Sequence, residues 1–195
     1  TAKPNVIFIL TDDQGWNDAR FAGHPYVKTP NLDRLVAEGA RFANAFVTTS
    51  LCSPSRATML SGLYGHRHGV LNNFTEYPDT LPSYPKRLRE AGYETAYIGK
   101  WHLDGHGRTG YIPPERRQGF GYWKAAECDH NYNKSHYYAG TSSEKQFWDG
   151  YDAFAETKDA QQYIRDHAKG GKPFALFLSY GIPHFPHATA PEQFK

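Results

Sequence analysis

Three apolar segments of this chain each run straight into a cluster of ionisable residues, and that pattern limits the folds open to it. Asn5-Val6-Ile7-Phe8-Ile9-Leu10 leads into Thr11-Asp12-Asp13-Gln14-Gly15. Thr95-Ala96-Tyr97-Ile98 leads into Gly99-Lys100-Trp101-His102. The run from Pro173 to Tyr180 ends at Gly181-Ile182-Pro183-His184. Unbroken apolar runs of this length read as strands buried on both faces, the type found in parallel sheets. In open α/β sheets ligands sit beyond the carboxyl ends of the strands, where these clusters fall.

Helical patterns separate the strands. Residues 30–39 and 81–92 each end in a glycine stop, residues 53–60 carry Pro54 in the first turn, and residues 157–168 precede a Gly170-Gly171 linker. Residues 41–47 resemble a further strand, and residues 103–149, rich in Gly, His, Tyr and Asn, read as a long excursion of loops. The alternation predicts an α/β fold with a mostly parallel or mixed central sheet sandwiched by helices. A chain of 195 residues is enough for one domain core.

Charge and composition exclude several partners. The formal net charge is +2 with no Lys/Arg block, which gives nucleic acid or an anionic membrane surface no footprint. No apolar run approaches a membrane span, and no signal-peptide pattern is present. The start Thr1-Ala2-Lys3-Pro4 reads as a processed or trimmed chain, with a periplasmic, secreted or lysosome-like compartment expected. Two cysteines make no disulfide framework; the one pairing they allow is Cys52–Cys128, which the surroundings of Cys52 argue against.

A fourth ionisable group sits at a predicted helix start, Cys52-Ser53-Pro54-Ser55-Arg56. A cysteine there meets the positive end of the helix dipole, and Arg56, one turn on, adds a planar cation suited to an oxyanion. By spacing alone a structural cysteine beside a surface arginine fits as well. Asp12 and Asp13 supply hard oxygen donors suited to calcium or magnesium, provided the strand ends there; an Asp-capped turn is the alternative. Lys100 and His102, two apart on an extended segment, are expected on one face. Asn72, Asn73, His130, Asn131, Tyr132 and His136 are loop side chains suited to a sugar.

Leu51-Cys52-Ser53-Pro54-Ser55-Arg56-Ala57-Thr58-Met59-Leu60-Ser61-Gly62 resembles the sulfatase signature, Cys-x-Pro-x-Arg before a small-residue helix and glycine. Thr11–Gly15, Gly92–His102 and Pro183-His184-Phe185-Pro186 continue the likeness in the family's order. The resemblance implies a formylglycine-dependent sulfatase of the alkaline-phosphatase-like superfamily, of which this chain is the N-terminal portion. It implies that Cys52 is oxidised to formylglycine by a sulfatase-maturing enzyme, and that Asp12, Asp13 and residue 52 hold calcium, with magnesium second. By the same likeness Arg56 and Lys100 bind the sulfate, His102 contacts the formylglycine and His184 protonates the leaving alcohol. Family members carry a second metal-ligand pair, another sulfate-binding lysine and a smaller subdomain later in the chain, so residues 1–195 alone are expected to be inert. The expected substrate is a sulfated small molecule or glycan. A phosphonate or phosphate ester hydrolase and a non-catalytic remnant are the other readings.

Overall fold

The computed structural model describes residues 3–194. Thr1 and Ala2, on which the reading of a trimmed start rests in part, lie outside the described residues. Six strands form one sheet: β1 (Val6–Asp12), β2 (Glu94–Lys100), β3 (Tyr122–Ala126), β4 (His136–Ala139), β5 (Gln146–Phe147) and β6 (Phe174–Pro183). Their order is β1-β6-β2-β3-β4-β5. The first four in that order are mutually parallel, and β4 and β5 add antiparallel pairings at the far edge. The sheet is therefore mixed, with a parallel centre.

Helices cover both faces of the centre. α2 (Cys52–Ser61) and α4 (Tyr84–Glu90) lie over one face, where Ala57, Leu60, Tyr97, Trp101, Trp123 and Phe177 pack together. α5 (Asp152–His167) covers the other, closing over Ala96, Ile98, Leu176 and Leu178. Burying this aliphatic and aromatic surface is the main favourable term for the fold, at roughly 25 cal/mol per Å² removed from water. α1 (Pro30–Glu38) and α3 (Gly65–His68) complete the helices. Among the described residues no helix is long and apolar enough to cross a membrane.

Several sequence expectations are corrected. β1 is not buried on both faces: Val6, Ile7, Phe8 and Ile9 are 40–59% exposed. Among the described residues the strand lies at the sheet edge, with β6 as its one paired strand and four of its apolar side chains open to solvent. Residues 41–47 form no strand; Phe42 and Phe46 stand in solvent and the backbone is irregular, with one turn at 43–44. The excursion 103–149 is not all loop, because β3, β4 and β5 lie inside it and widen the sheet. α5 starts five residues before the expected Thr157, at Asp152.

One glycine is required where the site is built. Gly99, at φ +103°, carries β2 so close to β6 that a Cβ would lie 2.0 Å from the Ser179 carbonyl oxygen. Any side chain there would separate the two central strands just below Lys100.

Candidate active site

Parallel strands end on one edge, and that places the clusters together. Asp12 closes β1, Lys100 closes β2 and His184 follows β6, while Cys52 opens α2 above the same edge. The Cys52 Sγ lies 4.0 Å from Asp12 Oδ1 and 3.5 Å from Lys100 Nζ. Lys100 also donates a hydrogen bond to Asp12 Oδ2, so one buried ammonium links the carboxylate and the sulfur. Cys52 and Cys128 are both free thiols, which rules out the Cys52–Cys128 bridge in this structure.

The start of α2 is fastened from two sides. Asn73 Oδ1 accepts the Ser53 N–H at 3.0 Å, satisfying one donor that a helix N-terminus leaves open. The Ser53 hydroxyl donates to the His102 carbonyl at 2.6 Å, joining the helix to the loop after β2. At the other end Gly62 adopts φ +72° and its N–H returns to Thr58 O, closing the helix.

Arg56 lies beside Cys52 and is anchored from within the sheet. Its Nη1 donates to the Lys100 carbonyl at 2.6 Å and to Ser179 Oγ at 2.7 Å, and Nη2 stands 3.7 Å from Asp12. Arg56 is buried, ties β2 to β6 and lies beside Asp12 as its counter-charge. Its hydrogen bonds are all made through Nη1, and the side chain also lines the larger cavity beside Cys52. Burial alone would raise the Asp12 carboxyl, but the charges of Arg56 and Lys100 outweigh it and hold the group below the usual carboxylate range.

Both neighbours of the motif ends leave regular geometry. Asp13 adopts φ +59°, so β1 does end at Asp12 and the two carboxylates need not point to opposite faces. His102 adopts φ +58°, so Lys100 and His102 do not share a face by strand alternation; both still line one cavity. Left-handed backbone at non-glycine residues is costly and tends to gather at functional sites. Burial, then the charges of Lys100 and Arg56, push His102 down to about 3, and its Nδ1 is buried with no hydrogen-bond partner. The ring is neutral at ordinary pH and carries an unused polar atom. His184 Nδ1 donates to the Phe185 carbonyl at 2.8 Å, leaving Nε2 3.5 Å from Asp13 Oδ2.

Two cavities meet at Cys52. The larger, about 370 Å³, is lined by Asp12, Asp13, Gln14, Ser55 and Arg56. The smaller, about 190 Å³, is lined by Lys100, His102, Arg108, Cys128, His130 and His184. Asp12, Asp13 and Gln14 suit a hard cation in kind, and they fall short of the six to eight oxygens calcium takes. Among the described residues no group of three or more His, Cys, Asp and Glu is arranged to hold a metal ion by itself. Of the sugar-suited loop residues, Asn73 and His130 reach the smaller cavity. Tyr132 is buried and His136 is paired with Asp129 at 2.5 Å, so neither faces it.

Arg108 and Cys128 were not among the expected site residues, and both line the smaller cavity. The signal for the second was present in the sequence. β3 is one more strand that runs into an ionisable cluster, Glu127-Cys128-Asp129-His130.

The sulfatase family profile matches residues 4–195. An ulvan-active sulfatase of Formosa agariphila is 46% identical over 195 residues, covering 99% of this chain and 38% of that protein. An N-acetylglucosamine-6-O-sulfatase of Bacteroides thetaiotaomicron is 32% identical over 98% of this chain and 32% of its own length. The chain thus spans between about a third and two fifths of these relatives. A crystal structure of a sulfatase-family protein from Bacteroides fragilis superposes with a TM-score of 0.92 at 28% identity, over 98% of this chain and 46% of that one. A structure solved with its substrate D-glucosamine-2-N,6-O-disulfate gives a TM-score of 0.80 at 31% identity, over 93% of this chain and 35% of the other. With its fold, its strand-end residues and this match over nearly its whole length, the chain belongs to the sulfatase family.

Proposed function

We propose that the protein hydrolyses sulfate monoesters of a carbohydrate, using residue 52 as a formylglycine and a calcium ion beside it. The observation that carries this reading is the position of Cys52 Sγ, between the Asp12 carboxylate and the Lys100 ammonium at one sheet edge. The carbohydrate is supported by the names of two relatives, one active on ulvan and one on N-acetylglucosamine 6-sulfate.

Asp12, Asp13 and the oxygen at residue 52 would hold the cation, with further ligands from outside these residues. Formylglycine supplies a hydroxyl nucleophile and a route to expel the bound sulfate, and calcium supplies Lewis acidity at that oxygen. The rest falls to the chain's own side chains. Lys100 reaches residue 52 and would fix a sulfate oxygen placed over it, acting as a point charge. Arg56 keeps Asp12 ionised and holds the Lys100 carbonyl in place. His102, neutral and with an unpartnered Nδ1, is the group to take a proton from residue 52. His184, with its Nδ1–H held by Phe185 O, would deliver the Nε2 proton of its imidazolium form to the leaving alcohol.

The test uses the complete protein, coexpressed with a maturing enzyme and supplied with calcium. Sulfate release from sulfated glycan fragments and an activated aryl sulfate is compared with hydrolysis of a phosphodiester. Faster turnover of the sulfate esters, lost on chelation and restored by calcium, is expected. Preferential turnover of the phosphodiester, or release of sulfate that chelation leaves intact, would overturn the reading.

A further inference from the structure

The smaller cavity beside Cys52 contains a cation that the proposed chemistry does not use. Lys100 is balanced by Asp12, and the arginines Arg56 and Arg116 are paired with carboxylates. Arg108 makes no ion pair among the described residues, and no Asp or Glu lines the cavity it enters. An exposed arginine is often simply solvated, but this one is held in place at two points. Its backbone carbonyl accepts the Cys128 N–H at 3.2 Å, and its Nη2 donates to His130 Nδ1 at 2.7 Å.

The hydrogen bond to His130 fixes the direction of the guanidinium. A guanidinium only donates, so His130 Nδ1 is the acceptor and the ring proton of the neutral imidazole sits on Nε2, 3.1 Å from Cys128 Sγ. The His130 ring in turn packs on His184, with centroids 4.2 Å apart. Arg108, His130 and His184 therefore form a continuous row, and Arg108 lies on the side where the leaving alcohol would be protonated. Four of the five guanidinium N–H groups remain for a ligand. Phe74, 83% exposed, lines the same cavity and offers an apolar face to a sugar ring.

We infer that Arg108 is a second anion-binding point, so that the preferred substrate carries a further carboxylate or sulfate on the leaving-alcohol side of the ester. This rests on the sulfatase reading above and extends it to substrate class. At about 190 Å³ the cavity is below the roughly 300–1,000 Å³ of sites for drug-sized ligands, which suits one ring bearing two anionic groups. The two anions would be divided between Lys100 and Arg108, each as a charge-assisted contact. Neutral leaving groups would leave the Arg108 guanidinium with no ligand partner, which gives selectivity as well as affinity.

The experiment uses matured, full-length protein and three probes that do not depend on sugar stereochemistry. These are 4-nitrophenyl sulfate, the same ester bearing a ring carboxylate, and the same ester bearing a second sulfate. Wild type should show higher kcat/KM on one of the two dianionic esters, and which one identifies the source of the anion. In Arg108→Gln, kcat/KM on that ester should fall at least about 10-fold further than on 4-nitrophenyl sulfate, mainly through KM. Arg108→Lys should recover part of the difference, because charge is kept and the planar fork is lost. No preference in wild type for either dianionic ester would overturn the inference. So would an Arg108→Gln that lowers all three alike, since that is the signature of a structural role. Release of sulfate from none of the probes by wild type would instead sink the sulfatase reading on which the inference stands.

Discussion

Cys52 has two flanks of opposite chemistry. Toward β1 it faces mainly oxygen: Asp12, Asp13 and Gln14 around the larger cavity, two of them carboxylates, with the Arg56 guanidinium as counter-charge to Asp12. Toward β3 it faces nitrogen and sulfur: Lys100, His102, Arg108, Cys128, His130 and His184 around the smaller one. Lys100 crosses between them, bonded to Asp12 and within 3.5 Å of the sulfur, and His184 Nε2 reaches to 3.5 Å from Asp13 Oδ2. A group placed on that wall can be polarised from the oxygen side while an anion is gathered on the nitrogen side.

The strongest way to break the division is to remove the group that spans it. Lys100→Ala should lower kcat/KM on a sulfate ester by roughly 10²–10³-fold, the scale of losing one preorganised charge at a developing anion. It also leaves Asp12 buried with Arg56 as its one remaining close cation, so some loss of stability should accompany the kinetic loss. Activity within a few-fold of wild type would mean that the cation is structural.

A smaller effect should be confined to one flank. Asp13→Ala should weaken calcium activation at least about 10-fold, the lower end of what losing even an outer-shell partner of a metal ligand costs. The discrimination between singly and doubly anionic esters should persist, because Asp13 does not line the nitrogen-side cavity. Loss of that discrimination in Asp13→Ala would show that the flanks are not independent.

The smallest expected effects are on stability against pH, and they have opposite signs. His102 is pushed from 6.5 to about 3 on folding, chiefly by burial, so the unfolded chain binds more protons in that window and stability is lost as pH falls from about 6.5 toward 3. Burial pushes Glu127 from 4.5 to about 8, despite the Asp104 N–H it accepts. The folded state then holds the extra proton, and stability is lost as pH rises through that range. Melting temperatures across pH should show His102→Gln flattening the acid side and Glu127→Gln flattening the alkaline side. Unchanged slopes in both variants would contradict the assigned environments.

The oxygen flank was largely legible in the sequence and the nitrogen flank only in part. Asp12, Lys100 and His184 follow apolar runs, and parallel strands bring such ends to one edge whatever lies between them. Cys52 and Arg56 could be placed by helix-start chemistry, but the direction of Arg56 depends on Ser179 and the Lys100 carbonyl, far away in sequence. Burial was misread at β1 because an apolar run records the preference of its residues and not the presence of a layer to cover them. β3 escaped notice because Tyr122-Trp123-Lys124-Ala125-Ala126 is short and interrupted by a lysine, although its ending in Glu127-Cys128-Asp129-His130 obeys the same rule as the other strands. Arg108 carries no local signal, since its place is set by hydrogen bonds to Cys128 and His130 across the chain.

The central claim is that residue 52 works as an oxidised nucleophile on the wall between the two flanks. Its most direct test is the mass of the peptide containing residue 52, from full-length protein coexpressed with a maturing enzyme, read alongside sulfate release. The expected result is an aldehyde in place of the thiol, turnover that rises with the oxidised fraction, and none from Cys52→Ala. An unmodified thiol in protein that still releases sulfate, or wild-type turnover by Cys52→Ala, would contradict it.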